Sequence, residues 1–152
     1  MRKIRRRIVS ALIFSADGKL LMGRKPPHRA AVYIDCWHIP GGGVDENETD
    51  EQTLQREVSE EVGIDISNYL TKIVDDEATG EAERTLKSGE KVLCKMHFIV
   101  YRVDINDKNA NQIKLIANDD LENLTWFPIS ELKAIKLTPP SEELFKKLGY
   151  LE

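Results

Sequence analysis

The chain has 152 residues, 41% of them hydrophobic and 32% charged, with a net charge of −4. That size suits one ordinary globular domain, expected to run from residue 1 to 152, and the composition excludes a disordered or membrane-embedded chain. The two cysteines, Cys36 and Cys94, form no CxxC pair, so neither a disulfide framework nor a zinc site is indicated and a cytoplasmic setting is expected.

Charge is uneven along the chain. Residues 1 to 30 hold nine Lys/Arg and one acid, +8, leaving −12 for the remainder. The simplest reading is a solvated basic strand start; the functional one is a positive rim that draws in a polyphosphate. Nucleic acid is disfavoured as a partner, because no aromatic stacking pattern accompanies the basic residues. The basic start before the apolar stretch 8–14 imitates a signal peptide, but that stretch is short and Ser10 interrupts it. No apolar run reaches the roughly 20 residues needed to cross a bilayer, so no membrane partner is expected.

In chain order, residues 4–14 and Leu20-Leu21-Met22, joined by Asp17-Gly18, predict a β-hairpin. Residues 25–35 contain Pro26-Pro27 and predict an exposed loop. Trp37 to Pro40 and Gly41-Gly42-Gly43 lead through an acidic loop into a helix over 50–62. Thr49 and Gln52 have capping-box spacing, Asp50 and Glu51 suit the positive end of the helix dipole, and Gly63 suits the C-terminal cap. Strands are predicted at 69–75 and 92–104, with a polar connection over 77–90, then a short strand near 113–116 and another at 124–127. Two closing helices are predicted at 130–134 and 141–148, the second opened by Pro139-Pro140 and capped by Ser141. Strands interleaved with a central and two terminal helices imply an α/β layered fold with a mixed sheet.

On a helical wheel Leu54, Val58 and Val62 fall within about 80° and form a core stripe. Glu57, Glu60 and Glu61 fall within about 100° on the adjoining arc, as neighbours on the helix surface. The plain reading is a solvated acidic face. Glu61, however, lies only about 20° from Leu54, at the edge of the buried stripe, where an uncompensated carboxylate is costly. A hard divalent cation such as Mg²⁺ would remove that conflict.

Gly42, Glu48, Arg56-Glu57-Val58, Glu60-Glu61 and Gly63-Ile64 match the Nudix box at every specified position. The 23-residue box resembles the signature of the Nudix hydrolase family, MutT-like members included, and the looser resemblance runs over almost the whole chain. It implies an α/β/α sandwich with a mixed β-sheet. It also implies Mg²⁺, with Mn²⁺ as a substitute, held by Glu57, Glu60 and Glu61 with the Gly41 or Gly42 carbonyl. Glu48 and Arg56 resemble the family's structural ion pair tying loop to helix. The implied reaction is hydrolysis of a phosphoanhydride in a nucleoside diphosphate derivative. Glu60 is the first choice for the catalytic base, with Asp119, Asp120 and Glu122 as loop alternatives. Asn47 and Thr53 stand where many relatives carry Gly and Ala.

The segment 37–42 resembles MutT-type nucleoside triphosphate pyrophosphohydrolases. No proline follows the box by about 15 residues and no tyrosine lies near residue 82, which lowers the ADP-ribose and diadenosine polyphosphate readings. Nucleotide sugars are the close alternative, and a non-catalytic nucleotide sensor is the alternative of a different class. For the substrate, Arg24, Lys25, His28 and Arg29 are candidates to meet phosphate, and Tyr33, Trp37 and Phe127 to stack on a base, the plain role of each ring being core packing. Family members are often dimers, so a homodimer is compatible with the resemblance.

Overall fold

The computed structural model describes residues 1–24, 35–118 and 121–151. The expected Lys25, His28, Arg29, Tyr33, Asp119 and Asp120 roles lie outside these residues.

The sheet is built on two long strands. β1 (Arg2–Ser15) lies parallel to β7 (Lys91–Ile105) along its whole length, from Arg2 opposite Val92 to Ser15 opposite Ile105. The shorter strands divide the outer edges of this pair. β2 (Lys19–Arg24) returns from β1 as the predicted hairpin, and β4 (Gly41–Gly43) pairs antiparallel with β1 at Ile8, Val9 and Ser10. β5 (Thr71–Asp75) and β6 (Thr79–Thr85) take successive lengths of β7, both antiparallel. β3 (Trp37–His38) and β8 (Glu122–Pro128) complete the sheet against β2.

Alternation along β1 separates two cores. Val9, Ala11 and Ile13 join Leu54, Val58 and Val62 of α1 (Asp50–Val62) in one cluster. Leu12 and Phe14 join Leu144 and Phe145 of α2 (Pro139–Lys147) in the other. The two helices therefore cover opposite faces, giving the expected α/β/α sandwich on a mixed sheet. Leu54, Val58 and Val62 are fully buried, each contributing about 1.5–3 kcal/mol of apolar burial.

α1 has the predicted ends. Thr49 accepts from the Gln52 N–H, the Gln52 side chain accepts from the Thr49 N–H, and Gly63 closes the helix at φ 76°. Gly63 is needed twice over, for the left-handed backbone and because a side chain there would meet Ile116.

Four local expectations are corrected. Residues 77–90 hold β6 rather than a polar loop; its side chains are mostly exposed, and pairing with β7 supplies the structure that no apolar pattern announces. Residues 113–116 form no strand: Ile113 and Leu115 pack on the α1 core while the Ile116 N–H donates to the Val62 carbonyl at the helix end. The segment expected as a helix over 130–134 is a 3-10 turn at Ile129–Ala134. Finally, α2 is capped by Thr138, not Ser141, which is itself in the helix and donates its N–H to Thr138 Oγ1. The prolines sit in the first turn, where missing N–H groups cost nothing, so the cap must precede them. No helix among the described residues is long and apolar enough to cross a membrane.

Candidate active site

Two elements meet here: the glycine strand β4 and the adjoining arc of α1. Gly41, Gly42 and Gly43 lie against β1 so closely that side chains would collide with different neighbours at each position. At Gly41 the obstacle is backbone, the Val9 carbonyl and Ser10 Cα. At Gly42 it is the Glu57 carboxylate, and at Gly43 the Arg6 guanidinium. Successive residues of a strand face opposite ways, so Glu57 and Arg6 lie on opposite sides of a strand that has no side chains of its own.

Arg56 organises the acids. Its Nε donates to Glu48 Oε2 at 2.8 Å and its Nη2 to Glu48 Oε1 at 2.9 Å, the two-point geometry in which Arg binds carboxylates best. Its Nη1 donates to Glu57 Oε1 at 2.9 Å and reaches Glu60 Oε2 at 3.5 Å, while Asp45 lies 3.4 Å from Nη2. Glu48 also accepts from the Thr53 hydroxyl at 2.9 Å. Thr53 is thus a buried prop for the loop acid. The Arg56 hydrogen bonds hold the Glu48 carboxyl down at about 2, against an ordinary 4.5, and push the Arg56 guanidinium well above its ordinary value.

The three box glutamates occupy different surroundings. Glu61 is buried at 4% exposure and accepts from the Gly41 N–H at 3.1 Å, as its place beside Leu54 on the wheel requires. Glu57 is mostly buried between Gly42 and Arg56. Glu60 points outward with 54% of its side chain exposed, and its backbone carbonyl accepts from Asn118 Nδ2 at 2.7 Å. Among the described residues no three His, Cys, Asp or Glu converge as a cluster able to hold a metal ion. The donor chemistry fits a hard cation all the same: three carboxylates on one helix arc, two of them withdrawn from water beside a bare glycine backbone.

The remaining candidates fall into a second group. Arg24 stacks over Trp37, its guanidinium 4.9 Å from the ring centroid, and the Trp37 ring meets Phe127 edge-on at 4.9 Å and 82°. Phe127 is buried in the α2-side core, whereas Trp37 is only partly buried and is the ring that can still meet a base. Glu122 stands in β8 opposite Arg24 rather than on a loop. Asn47 does not adopt a left-handed backbone; among the described residues that conformation outside glycine belongs to Asp35 and Asn123.

Three residues were not anticipated: Arg7, Tyr101 and Arg6. Arg7 donates through Nε and Nη2 to Asp50, and the Tyr101 hydroxyl reaches the same carboxylate at 3.1 Å. This network pins the start of α1 to the sheet. It holds Asp50 below its ordinary value, mainly through Arg7, and burial with the nearby acid pushes the Tyr101 hydroxyl up to about 12. Arg6 lies against Gly43, and only its place in the basic run 2–7 hints at it in the sequence.

The NUDIX domain model matches residues 4–148. The Escherichia coli protein described as nucleoside triphosphatase NudI is 26% identical over 97% of this chain and 100% of its own length. An RNA pyrophosphohydrolase of Hydrogenovibrio crunogenus is 42% identical over 60 residues, 40% of this chain, and the match spans only 33% of that protein. The chain likewise spans 38% of the RNA pyrophosphohydrolase of Gluconacetobacter diazotrophicus. Among solved structures, one from work on MutT of Aliivibrio salmonicida and Vibrio cholerae superposes with a TM-score of 0.67 at 20% identity, covering 95% of this chain and 97% of that one. The MutT protein of Methanosarcina mazei superposes at 0.65 with 21% identity, covering 98% of both chains. These two likenesses are of fold, and with the family match and the glycine strand facing the glutamate arc they lead to one assignment: the chain belongs to the NUDIX domain family.

Proposed function

We propose that the protein hydrolyses a phosphoanhydride bond in a nucleoside diphosphate derivative, with nucleoside triphosphates as the first substrate class and nucleotide sugars as the close alternative. The observation that carries this reading is the arrangement of Glu57 and Glu61 against β4. Two carboxylates are withdrawn from water beside backbone that a substrate can approach closely. The full-length likeness to a protein described as a nucleoside triphosphatase favours the triphosphate class.

Glu57, Glu60 and Glu61 would hold Mg²⁺, with the Gly41 or Gly42 carbonyl as a further oxygen. When bound, such an ion offsets charge on the phosphate oxygens and lowers the pKa of a coordinated water. The chain's own contribution begins with orientation. Arg56 fixes Glu57 from one side and is itself fixed by Glu48, so the carboxylate arc is positioned by a loop tied to the helix. Glu60 is the acid best placed to accept a proton from an attacking water, because it is the exposed one and its hold on Arg56 is long at 3.5 Å. Trp37, carrying Arg24 on its face, offers a flat surface for a base. The products of triphosphate hydrolysis would be a nucleoside monophosphate and pyrophosphate.

The test is a panel of nucleoside triphosphates, nucleotide sugars and other nucleoside diphosphate derivatives, incubated with Mg²⁺ or with EDTA, with coupled pyrophosphatase and phosphatase identifying the products. Metal-dependent pyrophosphate release from triphosphates supports the reading. Turnover of nucleotide sugars alone reverses the order of substrates, and nucleotide binding without turnover in well-folded protein leaves a sensor instead.

A further inference from the structure

The fourth residue of α1 is a fully buried threonine. A hydroxyl in that position must find a partner, because a buried polar group without one is costly. Within a helix a common partner is the carbonyl four residues back, here that of Thr49. The Thr53 hydroxyl turns instead to Glu48, on the loop before the helix, and donates to its Oε1 at 2.9 Å.

Glu48 Oε1 also accepts from Arg56 Nη2 at 2.9 Å and from the Asp45 N–H at 3.3 Å, while Oε2 accepts from Arg56 Nε at 2.8 Å. The two bonds of the fork fix carboxylate and guanidinium relative to each other. They leave the pair free to swing together about the side-chain bonds of Glu48 and Arg56. Thr53 and the Asp45 N–H meet the carboxylate outside the fork and resist that swing, the Thr53 bond being the shorter. The swing matters because Arg56 Nη1, on the same rigid plane, holds Glu57 Oε1 at 2.9 Å. Glu57 belongs to the arc proposed to hold Mg²⁺, so the orientation of Glu48 reaches that arc through one rigid group.

We infer that Thr53 is a positioning residue for the carboxylate arc: its hydroxyl fixes Glu48, Glu48 fixes the plane of Arg56, and Arg56 fixes Glu57. The inference rests on the hydrolase reading for its effect on the cation, but its first measurement needs neither metal nor turnover. The plainer role is a buried hydroxyl that satisfies itself on the nearest oxygen and does nothing for Glu57.

The experiment compares the wild type with Thr53→Val and Thr53→Ser, with circular dichroism and thermal unfolding of each. Valine keeps the shape and loses the hydroxyl, whereas serine keeps the hydroxyl and loses a methyl. Thr53→Ala repeats the valine comparison with less bulk and carries the test where valine does not fold. Heteronuclear NMR in EDTA reads the exchange of the Arg56 Nε–H with water. Thr53→Val is expected to speed that exchange about three- to tenfold, the worth of one hydrogen bond, with Thr53→Ser close to the wild type even where its thermal midpoint is the lower. On the best panel substrate the apparent Mg²⁺ activation constant should rise by a similar factor in Thr53→Val and recover in Thr53→Ser. In an Arg56→Lys background, where the fork is already lost, Thr53→Val should change that constant by less than about twofold. Exchange and activation constant alike in wild type and Thr53→Val would overturn the inference, as would a valine effect undiminished by Arg56→Lys. Faster exchange with an unchanged activation constant would also overturn it, since Thr53 would then steady Arg56 without reaching Glu57. Faster exchange in Thr53→Val, with no nucleotide turned over by the wild type, would instead remove the hydrolase reading and leave the tie of Thr53 to Arg56 standing.

Discussion

Arg56 and Glu48 meet through two parallel hydrogen bonds of 2.8 and 2.9 Å, and the third nitrogen of the same guanidinium holds Glu57 at 2.9 Å. One side chain thus joins the acidic loop, the helix and a box carboxylate. Replacing it by lysine keeps the charge and loses the fork. Arg56→Lys is expected to lower stability by about 1.5–3 kcal/mol, the range for charge-assisted hydrogen bonds, and to lower the activity on the best panel substrate more than stability alone explains. Thermal unfolding and steady-state kinetics on the same preparation check both halves.

The glycines of β4 separate structure from function. Gly41→Ala would collide with the Val9 carbonyl and Ser10 Cα, which cannot move without disturbing the sheet, and is expected to unfold or strongly destabilise the chain. Gly42→Ala would instead displace the end of the Glu57 side chain, which can swing away. Its thermal midpoint should stay within a few degrees of the wild type while activity falls at least tenfold. A Gly42→Ala protein with full activity would remove Glu57 from the site.

Asp50 supplies a pH test at the other end of α1. Arg7 depresses its pKa in the folded chain, so the unfolded chain binds the proton more readily. The stabilisation is therefore fully present above the ordinary aspartate value of 3.8 and is lost as pH falls through the lower folded value. Asp50→Asn should be less stable than the wild type at pH 7 by about 1–2 kcal/mol. Thermal unfolding at descending pH should show that gap narrowing only below about pH 4; a gap independent of pH would mean that the carboxylate charge contributes nothing.

What could be read from the sequence follows physical lines. The ends of α1 were legible because capping is local: Thr49, Gln52 and Gly63 act within one helical turn of the backbone they satisfy. The burial of Glu61 was legible because a helix wheel puts it beside Leu54. β6 was not, since residues 79–85 carry polar side chains on both faces and owe their strand to β7. Residues 113–116 misled for the opposite reason: their apolar side chains pack on the core from irregular backbone. The Arg7–Asp50 pair spans 43 residues, and the contact of Arg6 with Gly43 depends on strand register, so neither had a local signal.

The most direct measurement of the central claim is kcat and KM for Glu60→Gln against the wild type on the best panel substrate with saturating Mg²⁺, with Glu122→Gln as the comparison. The account predicts a fall in kcat of about 10²–10⁴ for Glu60→Gln with KM little changed, as for loss of a general base, and little effect at Glu122. A Glu60→Gln protein that keeps kcat within about threefold of the wild type would contradict it.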